Sequence, residues 1–308
     1  MNSQEGLRTH RPARYTLGRI LLRARDGPRL RTAIVNPVDE MDLRAVEAAD
    51  FVDAVLVGAK KAITRAASLA GISADRYTVI DAADPSEAAR VAAELARRGE
   101  VDALMKGSLH SDEFLRAVVA EPELRTSRRM SHVAVLDAPA LPHLIFISDS
   151  AVNIAPTLDE KRDITQNAID VARAVGVVLP KVAILSAVET VSSREPSTID
   201  AAALAKMADR QQITGAFVDG PLALDDALSP EAARIKGIVS PVAGCADILI
   251  APNLDAANVL FKEIEYLGRG TCACVVAGAR IPLVLTGRAD DAATRVASLA
   301  LASVVRSL

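Results

Sequence analysis

Short runs rich in β-branched residues alternate along this chain with longer stretches whose apolar residues recur every three or four positions. The runs at 32–36, 54–58, 78–80, 102–105, 144–148, 182–186, 216–219, 248–251, 274–277 and 283–286 predict strands, and a further strand is read within 128–137. The clearest helical stretch is 158–175, where Ile164, Ala168, Val171 and Val175 fall on one face. Thr157 with Glu160 predicts a capping box at its start, and Gly176 supplies a stop. Strands alternating with helices predict an α/β fold around a parallel sheet with right-handed crossovers. The strands are apolar nearly throughout, as in sheets covered on both faces.

Polar residues and glycines cluster just after several strands: Lys106-Gly107-Ser108, Ser148-Asp149-Ser150 and Thr286-Gly287-Arg288. In open α/β sheets ligands bind at the carboxyl ends of strands, so these clusters are candidates for one shared cleft. No GxGxxG and no GxxxxGK[ST] occurs, which disfavours a dinucleotide fold of the usual kind and a P-loop.

Composition narrows the field. A length of 308 residues allows one large or two medium domains. Aromatics are 3% and Trp is absent, so the core is built from Ala, Val, Leu and Ile, and stacking platforms for single-stranded nucleic acid are excluded. A net charge of −3 gives no global attraction to nucleic acid or an anionic membrane. No apolar run is long enough to span a bilayer, and no signal-peptide core is visible. Cys245, Cys272 and Cys274 fit no zinc spacing, so no metal is expected and a cytoplasmic setting fits better than secretion. Cys272 and Cys274 share one strand face as small apolar groups. Residues 1–30 carry arginines against only Glu5 and Asp26. They read as a basic arm more readily than as a transit peptide, because Ser is sparse.

Four segments carry candidate chemistry. In 102–119, Lys106, His110, Ser111 and Arg116 surround a predicted helix start with Ser111 as N-cap, an arrangement suited to an anion. A plain strand–turn–helix with a solvated lysine explains them equally well. In 128–163, two adjacent strands bring Arg129, Ser131, Asp149, Ser150 and Asn153 near one another, while His132 and His143 read as structural. In 237–263, Asn253 and Asp255 open a helix as cap residues or face an anion. In "PLVLTGRADD", 282–291, Arg288 follows the last strand, and Asp290 or Asp291 caps the final helix.

Taken together, "DALMKGSLHSDE", "SHVAVLD", "DSAVNIAPTLDEKRDITQNAIDVARAVG", "ITGAFVDGPLALDDALSPEAARIKGIVSPVAGCADILIAPNLDAANVLFKE" and "LTGRADDAATRVASLALA" resemble the phosphate acetyltransferase/phosphate butyryltransferase family, in order and from about residue 31 onward. The match is most similar to the phosphate acyltransferase half of bifunctional enoyl-CoA hydratase/phosphate acetyltransferase proteins. The resemblance implies two α/β domains around a cleft, similar to the isocitrate and isopropylmalate dehydrogenases. The first comprises 31–143 plus 287–308 and the second 144–286. It implies reversible transfer of an acetyl or butyryl group between CoA and inorganic phosphate by direct thiolate attack on the acyl phosphate. CoA is then a substrate, no cofactor is needed, and a homo-oligomer is expected.

Carried over by position, the family's Ser-Arg pair falls on Gly287 and Arg288, its loop arginine on Arg116, its strand arginine on Arg129 and its turn asparagine on Asn153. Two departures stand out. The serine is Gly287, and the acetyltransferase aspartate would fall on Thr294. The butyryl-type branch places Asp after Arg-Ala, which makes Asp290 the expected base. Thr286, or the Gly287 N–H, is left to replace the serine hydroxyl. That loss favours a second reading, a non-catalytic acyl-CoA-binding relative or a subunit of an acyl-processing complex. A third, an oxidoreductase of the same architecture, lacks a tyrosine acid, since Tyr15, Tyr77 and Tyr266 lie outside these loops.

Overall fold

The computed structural model describes residues 15–141, 143–287 and 289–308. The chain order is α1 (Leu17–Asp26), β1 (Leu30–Val35), α2 (Glu40–Ala48), β2 (Val52–Gly58), α3 (Lys60–Ala70), β3 (Thr78–Asp81), α4 (Pro85–Arg97), β4 (Ala103–Lys106), α5 (Ser111–Ala120), β5 (Ser131–Asp137) and β6 (Ile145–Ser148). It continues with α6 (Leu158–Val175), β7 (Lys181–Leu185), α7 (Pro196–Asp209), β8 (Phe217–Leu222), α8 (Leu224–Leu228), α9 (Pro230–Ile235), β9 (Ile248–Ile250), α10 (Leu254–Lys262), β10 (Thr271–Ala277), β11 (Leu283–Val284) and α11 (Ala292–Val305). Helix α1 falls inside the stretch read as a basic arm, with Ile20 and Ala24 buried against the core. Residues 1–14 of that stretch lie outside the described residues.

All strands join one sheet, in the order β3-β2-β1-β4-β11-β10-β5-β6-β9-β7-β8. The expectation of a purely parallel sheet needs one correction. β10 pairs antiparallel with both β11 and β5, and β5 pairs antiparallel with β6. The reason is connection length. A parallel neighbour needs a crossover of a dozen or so residues, and the links from β5 to β6 and from β10 to β11 are too short for one. Two parallel sets of opposite direction result, β3-β2-β1-β4-β11 and β6-β9-β7-β8, joined through β10 and β5.

Helices cover both faces. On one face α1, α2, α3, α6, α7 and α11 share a single apolar cluster that includes Ile20, Leu43, Ile63, Ile164, Leu204 and Leu299. On the other face α4 and α5 pack over the first set of strands, through Ala92 and Phe114. There α8 and α10 pack over the second set, through Ala227 and Phe261. The two-residue period of the strands sorts side chains between layers, with Leu30 and Ile34 of β1 facing one way and Ala33 and Val35 the other. Cys272 and Cys274 lie together on one face of β10, buried as small apolar groups.

Helix starts follow local chemistry. The capping box forms at α6, where Glu160 N–H donates to Thr157 Oγ1 at 3.4 Å and Thr157 N–H to Glu160 Oε2 at 2.9 Å. The start of α5 differs from the expectation. His110 holds the N-cap position without its side chain capping the helix, and Ser111 is the first helical residue.

Candidate active site

The carboxyl edge of β1, β4 and β11 opens onto a cavity of about 380 Å³. Its wall includes Asp39, Lys106, His110, Thr286, Gly287 and Arg295. Local structure forces this convergence. After β4 the chain turns sharply and is stitched to the end of β1, with Gly107 N–H on Val35 O and Ser108 N–H on Asn36 O, each at 2.9 Å. Gly107 is required there. A β-carbon at this position would stand 2.6 Å from Val35 O and 2.9 Å from Asp42 Oδ2. The starts of α2, α4 and α5, at Asp39, Pro85 and His110, all reach the cavity, which brings the positive ends of three helix dipoles near it. Lys106, 5% exposed, lies on the wall with Nζ donating to the Gly107 and Leu109 carbonyls at 3.2 and 3.3 Å.

The turn after β11 supplies the opposite wall. Thr286 is buried there at 4% exposure, beside Gly287. Gly287 N–H donates to Asp290 Oδ2 at 2.7 Å. The expectation that this N–H stands in for the missing serine hydroxyl therefore meets a competitor, the Asp290 carboxylate. Asp291, not Asp290, caps α11, accepting Thr294 N–H at 2.8 Å. That leaves Asp290 for other work. Its Oδ1 is buried with no hydrogen-bond partner. Burial raises its pKa above the ordinary carboxylate value; the Gly287 N–H, Lys262 and Arg295 oppose the rise, and Glu265 adds to it. Arg288 lies outside the described residues.

Residues from other parts of the sheet approach the turn after β11. Lys262, at the end of α10, pairs with Glu265 at 2.8 Å and lies over the Phe261 ring. His132 on β5 is fully buried; its Nδ1 meets Ser150 Oγ at 2.8 Å and its ring hydrogen-bonds the backbone of Leu285. Burial holds its pKa low, against the pull of Asp149. The ring thus ties the loop after β6 to the turn after β11.

The remaining expected residues divide. Arg129 Nε donates to Asn153 Oδ1 at 2.8 Å, and Asn153 Nδ2 donates to Met130 O and Asp149 Oδ2. The two therefore form one cluster with Asp149, off the cavity wall. Arg116 is 78% exposed, paired with Asp112 at 3.1 Å and off the cavity wall. Ser111 is also off the wall, and Asn253 caps α10 by accepting Ala256 N–H at 2.9 Å.

Three residues escaped the sequence reading. Arg295, 3% exposed, forms a buried pair with Asp42, itself fully buried, and lines the cavity. Lys262 faces Asp290 electrostatically. A signal existed for the pair. Arg295 and Asp42 interrupt the apolar faces of α11 and α2, and a charge on a core face requires a partner.

A cavity at the strand edge with a buried lysine and a carboxylate of raised pKa defines a class of α/β enzyme that handles anionic substrates. Residues 81–303 match the family described as phosphate acetyl/butaryl transferase, and the chain belongs to that family. It is 50% identical over 291 residues to the phosphate acetyltransferase of Rickettsia typhi, covering 93% of this chain and 83% of that protein. It is 41% identical over 290 residues to the phosphate butyryltransferase of Clostridium beijerinckii, covering 93% and 96%. Among solved structures, the branched-chain phosphotransacylase from Enterococcus faecalis V583 aligns with a TM-score of 0.79 at 28% identity, covering 90% of this chain and 99% of that one.

Proposed function

We propose that this protein transfers a short-chain acyl group reversibly between CoA and inorganic phosphate. The observation that carries the reading is Asp290, a buried carboxylate with one unpartnered oxygen, whose other oxygen accepts the N–H of Gly287 on the wall of the cavity that Lys106 and Thr286 also line. In the direction of acyl-CoA synthesis Asp290 takes the thiol proton. The thiolate then attacks the acyl phosphate carbonyl, the new C–S bond forms, and the C–O bond to phosphorus breaks as phosphate departs. In reverse, a phosphate oxygen attacks the thioester and Asp290 returns its proton to the leaving thiolate. The raised pKa brings Asp290 closer to that of a thiol, which eases the transfer. Lys106 and the nearby helix N-termini attract the phosphate, and Thr286 Oγ1 serves the tetrahedral transition state. By the family resemblance Arg288 also contacts phosphate or CoA.

Asp42 Oδ2 and Asp290 Oδ1 are buried oxygens without partners, and neither sits in a group of three or more ligand-type side chains among the described residues. The reading needs no metal and takes CoA as substrate. The division of the chain into a first unit of 31–143 plus 287–308 and a second of 144–286 is part of the proposal. No helix among the described residues is long and apolar enough to cross a membrane. Three free cysteines support a cytoplasmic setting, and assembly as a homo-oligomer is part of the proposal.

Purified protein given acyl-CoA and phosphate, from acetyl to hexanoyl, should release free thiol. A folded sample without turnover on any of them sinks the reading. Loss of the family serine at Gly287 favours one alternative, a non-catalytic relative. CoA binding without turnover would select it.

A further inference from the structure

We infer that Arg295 is a positioning residue that, locked by Asp42, sets the Gly287–Asp290 turn. The inference rests on the acyltransferase reading for its kinetic consequences, but not for its structural ones. Arg295 Nε donates to the Asp290 carbonyl at 3.2 Å. Its Nη1 pairs with Asp42 Oδ1 on α2 and lies 3.7 Å from Asp39 Oδ1. Arg295 is 3% exposed and Asp42 is fully buried. One guanidinium therefore joins α2 to the main chain of the turn, and Asp290 in turn holds Gly287 N–H through its carboxylate. Asp42, Arg295, Asp290 and Gly287 form one chain of contacts, of which Arg295 and Gly287 line the cavity.

Geometry requires an arginine here. The two contacts use separate nitrogens, Nε and Nη1, held apart by the planar fork, whereas a lysine carries all its donors on one nitrogen and cannot reproduce that spacing. Asp42 is anchored independently. Its N–H donates to Asp39 Oδ1 at 2.8 Å, and Asp39 Oδ2 accepts from Ser108 Oγ at 3.1 Å on the cavity wall. The lock is thus tied to the Lys106–His110 turn as well, so both walls of the cavity are referred to the same buried pair. Arg295 also lowers the pKa of Asp290, a second route by which it acts through that residue.

The test compares Arg295→Lys, Arg295→Met and the double variant Asp42→Asn/Arg295→Met. The double variant buries no lone charge and keeps the experiment readable if a single variant fails to fold. In folded variants kcat should fall about 100-fold, the scale expected when a reacting group is misplaced by an ångström. KM for phosphate and for acyl-CoA should stay within about threefold, the mark of a group acting in the transition state and not in ground-state binding. Lysine should not rescue. In an Asp290→Asn background the Arg295→Met change should add little, because coupled residues are not additive. Hydrogen exchange supplies a readout that does not depend on turnover: the Gly287 amide should exchange faster while the amides of β1 and β4 keep their protection. A raised KM for phosphate with kcat unchanged would overturn the inference by making Arg295 a substrate ligand. Unchanged Gly287 exchange in a folded variant would overturn it as well. If the parent protein turns over no acyl group, the acyltransferase reading fails, and the exchange measurement alone decides this inference.

Discussion

At the scale of single residues, the turn after β11 concentrates the chemistry. Gly287 leaves its neighbour room. A β-carbon at this position would stand 2.8 Å from Asp290 Oδ1, too close for carbon and oxygen, so any side chain there must shift the Asp290 carboxylate, which now holds the Gly287 N–H. Gly287→Ser should therefore gain well short of the roughly 100-fold that a restored transition-state donor supplies alone. Steady-state kinetics of the variant checks this, and a full gain would show that Asp290 swings aside without loss. The pH profile tests Asp290 directly. Its raised pKa means the active, deprotonated form is lost as pH falls, starting above the ordinary carboxylate range. Lys262→Met removes a charge that lowers this pKa and leaves Glu265, which raises it, unshielded. The acidic limb of kcat/KM should then move to higher pH, and Asp290→Asn should abolish it. Thr286, Gly287 and Asp290 were legible as a strand end followed by acids. That Asp290 is the free acid and Asp291 the cap was not, because either residue satisfies the capping pattern.

At the scale of elements, capping and connection length explain most of what was legible. The capping box and the Gly176 stop fix α6 from local chemistry alone. Asp291 does the same for α11, so Asp291→Ala should cost about 1 kcal/mol of stability. Denaturant unfolding measures that loss, and the acidic limb of the activity profile should stay in place, since Asp290 is held by Gly287 and Arg295 and not by the cap. Strand direction was less accessible. The runs that became β5 and β10 have the composition of their parallel neighbours, and only their short links to β6 and β11 betray the reversal. A partly exposed strand such as β8 shows its polar positions, but the fully buried β4 offers no alternation to read.

For the whole molecule, the buried Asp42–Arg295 pair couples stability to pH. Burial pushes the Asp42 pKa from 3.8 to about 7, against the pull of Arg295. Between those values the folded protein keeps a proton that the unfolded chain has lost. Stability should therefore fall as pH rises through this interval and level off above it, by at most about 4 kcal/mol. Unfolding curves of the parent and of Asp42→Asn across the interval check this. The variant should show a shallower slope, keeping only what other groups such as Asp290 contribute, and a parent whose stability rises with pH there would show that Arg295 keeps Asp42 ionised.

By itself the sequence determined the α/β class, nearly every strand, the caps of α6 and α10 and the resemblance to acyl-transferring enzymes, because periodicity, capping and turn chemistry act between residues a few positions apart. Tertiary structure decided what depends on distant segments meeting. It set the polarity of β5 and β10, and it placed Lys106 and Thr286 on one cavity with Arg129 and Asn153 in a neighbouring cluster. It also matched Arg295 with Asp42, 253 positions apart in the chain. Neither charge of that pair is explained within its own helix; each is stable in the core only because folding brings the other to it.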